Sequence, residues 1–73
     1  MERIEKSRFK KGKYIGYGSN GGTYLIHKDT SSGYWIAIIH AGGEGRGGGN
    51  MSAKPNSFYS KTLSEADKKL GKL

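Results

Sequence analysis

The 73-residue chain contains no cysteine. That absence excludes disulfides, thiol nucleophiles and thiolate-based zinc sites, and with them the staples that hold many small domains together. There is a single proline, and apolar residues make up only 33% of the chain. No apolar run approaches the about 20 residues of a membrane-spanning helix. No continuous apolar segment follows the charged N-terminus either, so no secretory leader is expected. Acidic residues number six, and none of them form a spaced carboxylate pair suited to acid–base chemistry. His27 and His40 are the only histidines, with no third ligand at a metal-binding spacing. A triad of Ser31, His27 and Asp29 would lack the sharp nucleophile elbow that such chemistry uses. The chain therefore reads as a cytoplasmic protein that is not an enzyme, with no catalytic residue, no metal and no small-molecule cofactor.

What is present is positive charge and glycine. Thirteen Lys or Arg against six Asp or Glu leave a net charge of +7, a field that attracts nucleic acid or an anionic protein surface. Much of it sits in residues 1–13, which read as a basic N-terminal arm. There Arg8, Lys10, Lys11 and Lys13 would track phosphates; the alternative is a solvated tail with Phe9 tucked against the domain edge. Residues 14–73 read as one small domain. A chain of this length buries only about 60% of its unfolded surface, so homodimerisation is one remedy for its small core.

Residues 24–28 and 34–40 are the two runs richest in strand formers, separated by Asp29, Thr30, Ser31, Ser32 and Gly33. This is a β-hairpin pattern. With Lys28 opposite Tyr34, Ile26 would face Ile36 and Tyr24 would face Ile38 beneath a helix. Leu25, His27, Trp35, Ala37 and Ile39 would then line the other side. Tyr14, Ile15, Gly16 and Tyr17 form a shorter preceding strand, with residues 18–22 as its turn. Residues 57–61 offer a fourth strand.

Thr62 and Glu65 form a capping-box pattern, and Leu63, Ala66, Leu70 and Leu73 make one apolar stripe behind it. The expected fold is α+β: a three- or four-stranded antiparallel β-sheet with a short C-terminal helix packed on one face.

Two glycine motifs stand out. Gly16-Tyr17-Gly18-Ser19-Asn20-Gly21 satisfies G-x-G-x-x-G between two candidate strands. Residues 14–39 resemble the first three strands of the protein kinase family, with Ile36-Ala37-Ile38 similar to the start of its third-strand motif. The resemblance implies a strand, a glycine turn and a hairpin. Ile39 stands where the family's phosphate-contacting lysine would be, and no catalytic lobe follows, so kinase chemistry is not implied. Residues 41–50 read AGGEGRGGGN and form a glycine-rich loop. Gly43, Gly45 and Gly48 repeat the motif's letters without the lysine and Ser/Thr of a phosphate-binding loop. Arg46 is the cation at its tip, and the run resembles glycine–arginine tracts of RNA-binding proteins.

The leading expectation is a nucleic-acid-binding module for DNA or RNA. Arg8, Lys10, Lys11, Lys13, Lys28 and Arg46 would meet phosphates while Trp35 stacks on bases. The order of arm, sheet and helix is similar to that of arm-type and AP2-like DNA-binding domains. The alternative is a protein–protein interaction module, such as a small regulator or inhibitor encoded by a phage or mobile element. It would use Leu25, His27, Trp35 and Ile39 on an exposed sheet face.

Overall fold

A computed structural model describes residues 1–40 and 50–73. Along the chain it contains β1 (Ile4–Lys6), β2 (Tyr14–Tyr17), β3 (Thr23–Lys28), β4 (Trp35–Ile39), β5 (Ser57–Ser60) and α1 (Leu63–Gly71). The strands form one antiparallel sheet in which each lies beside the next, β1-β2-β3-β4-β5. The α+β class with a C-terminal helix on an antiparallel sheet holds. The number of strands is a correction: five, not three or four.

The additional strand comes from within residues 1–13. Ile4 pairs with Gly16, Glu5 with Ile15 and Lys6 with Tyr14. A three-residue strand with one large apolar side chain has no periodicity of its own to read. Its reason for existing is the free edge of β2, whose backbone groups it pairs. Arg3 fastens this edge to the helix, its backbone N–H donating to Asp67 Oδ1 at 2.9 Å and its guanidinium to the Tyr17 carbonyl at 3.1 Å.

The central hairpin forms, but one residue out of the expected register. Lys28 faces Trp35, Ile26 faces Ala37 and Tyr24 faces Ile39. The cause is the turn. Asp29 and Tyr34 remain in the ladder, the Asp29 N–H donating to the Tyr34 carbonyl at 2.8 Å. The loop is thus four residues, closed by the Gly33 N–H on the Asp29 carbonyl at 2.7 Å, with Gly33 at φ +79. Because side chains alternate with a period of two, this slip turns the whole of β4 over. Trp35, Ala37 and Ile39 lie on the helix side, and Ile36 and Ile38 on the opposite side, where Ile15 is buried.

Cross-strand partners share a face, so the helix side carries Ile4, Tyr14, Gly16, Tyr24, Ile26, Trp35, Ala37, Ile39 and Phe58. Tyr24, Ile26, Ala37 and Leu70 are its buried centre, and Tyr14, Trp35, Phe58, Leu63 and Leu73 pack around them. Tyr24 meets Phe58 edge to face, centroids 5.4 Å apart. Its hydroxyl donates to the Pro55 carbonyl and accepts from Asn20 Nδ2, so the buried phenol is satisfied.

The helix starts where expected. Thr62 accepts the Glu65 N–H at 3.0 Å. The return half of the box reaches one residue further than anticipated, since Glu65 Oε2 accepts from the Lys61 N–H at 3.1 Å. Ala66 and Leu70 are its buried residues.

Gly16 and Gly18 are the seat of this helix. A Cβ on Gly16 would lie 2.7 Å from both Ile26 Cδ1 and Leu70 Cδ1, and one on Gly18 would lie 3.0 Å from Leu73 Cδ1. The turn they flank closes the end of the helix: Ser19 donates its N–H to the Leu70 carbonyl at 2.9 Å and its hydroxyl to the Leu73 carbonyl at 2.6 Å. The kinase-like spacing of glycines thus serves helix docking.

Candidate nucleic-acid interface

In this meander the β1–β2 loop, the β3–β4 loop and the start of α1 leave the same end of the sheet. Residues 7–13 connect β1 to β2 as a hydrogen-bonded turn. The Ser7 N–H donates to the Lys13 carbonyl at 2.9 Å, the Lys10 N–H to Ser7 Oγ at 2.9 Å, and the Lys13 N–H to the Lys10 carbonyl at 3.1 Å. Gly12, at φ +79, supplies the left-handed residue that a type II turn over residues 10–13 requires. The cluster read from the sequence as a trailing arm is therefore held on a hairpin.

Arg8, Lys10 and Lys11 are exposed on that hairpin, and Lys13 is half-buried at the foot of β2. Phe9 sits among them with 77% of its surface exposed. It does not tuck against the domain edge. Water around an exposed phenyl ring is a standing cost that stacking against a flat partner relieves.

Beneath the hairpin, Lys6, Ser7, Lys11, Gly12, Lys13 and Tyr14 line a shallow pocket of about 310 Å³. The ring of Tyr14 meets Trp35 edge-on at 5.7 Å, and Lys28 Nζ stands 6.0 Å from the Trp35 ring centre. A continuous surface thus runs from the hairpin lysines through Tyr14 and Trp35 to Lys28. The nearest loop carboxylate, Asp29, is engaged locally by Ser31 Oγ at 3.0 Å and Ser32 Oγ at 2.7 Å. Those two hydroxyls hold its pKa below the ordinary 3.8. Among the described residues, Lys6, Lys10, Lys11, Lys13 and Lys28 form no ion pair. Lys6, Lys10, Lys11 and Lys28 are exposed and Lys13 is half-buried.

The structure therefore gathers Arg8, Lys10, Lys11, Lys13, Lys28 and Trp35 at one end of the sheet. Trp35 is half-buried and belongs to the helix-side packing. Arg46 and the glycine-rich loop at 41–49 lie outside the described residues. Lys6, Phe9 and Tyr14 join the surface, and none of them is among the contacts expected from the sequence. The alternation of basic and aromatic residues over 6–14 was the available signal, and the unseen pairing of β1 obscured it.

The alternative set divides. Leu25 and His27 lie on the face opposite the helix and are half-buried there, whereas Trp35 and Ile39 lie on the helix side, as the register slip requires. Ile36 and Ile38 take their places beside Leu25, with Ile38 43% exposed and Tyr59 of the neighbouring strand 56% exposed.

Among the described residues no group of three His, Cys, Asp or Glu is placed to hold a metal ion, and no helix is long and apolar enough to cross a membrane. Comparison with protein-family models, curated proteins and solved structures finds no match to this chain.

Proposed function

We propose that the chain is a small, non-enzymatic nucleic-acid-binding module whose contact surface is the β1–β2 hairpin and the adjoining end of the sheet. The observation that carries this reading is the pairing of exposed cations with an exposed ring on a structured loop. Lys10 and Lys11 directly follow Phe9, which is 77% exposed, and neither lysine has an ion-pair partner among the described residues. Lysines meet phosphates by releasing counterions, and aromatic rings meet bases by stacking, so the two together suit a polymer that offers both. Tyr14, Trp35 and Lys28 extend the same chemistry down the sheet end.

The test is binding of labelled single-stranded and duplex oligonucleotides across a salt series. Affinity is expected to fall steeply and linearly on a log–log plot, and substitution of Lys10 and Lys11 to weaken all sequences alike. Absence of binding at low salt, or affinity indifferent to salt, overturns the reading.

A second reading has its own observation. Leu25, Ile36, Ile38 and Tyr59 share the face opposite the helix, where Ile38 and Tyr59 are exposed although Ile15 beside Leu25 is buried. That face suits a protein partner. A stoichiometric complex that survives moderate salt and nuclease, and is lost on Ile38→Asp, supports it over the first.

A further inference from the structure

We infer that the outer edge of β1 pairs with the same edge of a second copy of this chain, giving a two-fold dimer in which the two sheets join into one. The inference is independent of what the β1–β2 loop binds. Tyr17 donates its N–H to the Arg3 carbonyl, and Ser7 donates its N–H to the Lys13 carbonyl, each at 2.9 Å. Arg3, Glu5 and Ser7 therefore direct their ladder groups to β2, and the N–H and C=O of Ile4 and Lys6 point away from it. Among the described residues no strand lies beyond β1. At the other edge of the sheet, Lys69 Nζ donates to the Tyr59 carbonyl at 2.5 Å and Glu65 Oε2 accepts the Lys61 N–H at 3.1 Å. Side chains of α1 thus occupy outward groups of β5, the usual way a protein blunts a sheet edge, and β1 has no such guard.

What selects a second copy is the order of charges over residues 2–6, Glu-Arg-Ile-Glu-Lys. In a new antiparallel ladder, outward-pointing residues must face one another, and a two-fold axis at Ile4 satisfies this. Ile4 then faces the partner's Ile4, Glu2 the partner's Lys6 and Arg3 the partner's Glu5, and symmetry repeats each charged pair with opposite signs throughout. An axis at Glu5 would set Glu5 against its own copy, and an axis at Lys6 would do the same with Lys6, so charge favours one register. The ladder lengthens β1 by two residues, into the exposed chain end at Glu2. Each copy carries +7 overall, so association depends on this local order of charge and stays weak.

Sedimentation equilibrium of the full chain from about 10 μM to about 1 mM tests this, the range in which so narrow a contact assembles. The average mass is expected to rise towards twice that of the chain. Lys6→Glu and Glu2→Lys, both at exposed positions, should each weaken association about tenfold by setting like charges opposite one another. Lys6→Glu also lowers the net charge, so general repulsion between copies would give the reverse result. The double variant Glu2→Lys/Lys6→Glu keeps the net charge, restores opposite signs across the axis and should regain the wild-type association. Amide exchange at Ile4 and Lys6 should slow as concentration rises. A mass that stays monomeric across the range overturns the inference, as does a double variant that fails to regain association. Association that survives both single variants and is lost in Ile38→Asp places the contact on the face opposite the helix and overturns it too.

Discussion

Leu70 rests directly on Gly16: a Cβ at that glycine would come within 2.7 Å of the leucine's Cδ1. Leu70 and Ile26, the other side chain such a Cβ would strike, are both fully buried. Both would have to shift to admit it. The close approach of helix to sheet that this glycine permits is what allows one short helix to close the core of so small a domain.

Gly16→Ala is therefore expected to destabilise the fold by about 1–3 kcal/mol, the usual cost of overpacking a filled core. Urea denaturation should show a lower midpoint with an unchanged slope. Gly12→Ala, which meets no atom but forces a side chain into positive φ, should cost about 1 kcal/mol through backbone strain alone.

Tyr24→Phe removes a hydroxyl that donates to the Pro55 carbonyl and accepts from Asn20. Asn20 also donates to the Lys54 carbonyl at 3.0 Å and accepts from the Gly22 N–H at 3.0 Å. The turn at residues 18–22 and the segment at 54–55 are thus joined through one phenol and one amide. Loss of the phenol should cost about 1–3 kcal/mol, and thermal unfolding of Tyr24→Phe and Asn20→Ala should show non-additive effects because they share these bonds.

Two solvent-accessible carboxylates contribute to the pH dependence of stability in acid. Glu65 is held below its ordinary 4.5, first by the Lys61 N–H and then by the Lys69 charge. Asp29 is held below 3.8, first by the Ser32 hydroxyl and then by that of Ser31. A depressed folded-state pKa stabilises the fold above the unfolded value, and the contribution is lost as pH falls through the folded value. Urea midpoints should be level above about pH 5 and decline below it. Glu65→Gln should flatten the upper part of that decline and Asp29→Asn the lower part.

Lys10→Ala and Lys11→Ala should each reduce the slope of log affinity against log salt by about one phosphate contact. Phe9→Ala should weaken binding to single strands by about 1–3 kcal/mol, the cost of losing one stacked base, and leave the salt slope unchanged. Trp35 is the only tryptophan and borders the proposed surface. Its emission should therefore change on titration with an oligonucleotide, and Lys28→Ala, which removes the ammonium 6.0 Å from its ring, should diminish the change.

Local chemistry in the chain determines a good deal of this molecule. The Thr62 hydroxyl and the spacing of Leu63, Ala66 and Leu70 specify the helix and its buried face, because caps and stripes act within a few residues. Strand-forming runs specify β2, β3, β4 and β5, and the lysines of residues 6–13 specify where the charge lies. Tertiary structure decided the rest. β1 exists because β2 offers an unpaired edge, a fact that no property of Ile4, Glu5 and Lys6 announces. The face on which Trp35 lies depended on whether Asp29 belongs to the loop or to the ladder, and one residue there inverts all of β4. Phe9 became a surface feature only when its segment folded into a hairpin. Pairing and register are relations between distant segments, settled by which arrangement satisfies the backbone and fills the space over Gly16, and a linear pattern carries neither quantity.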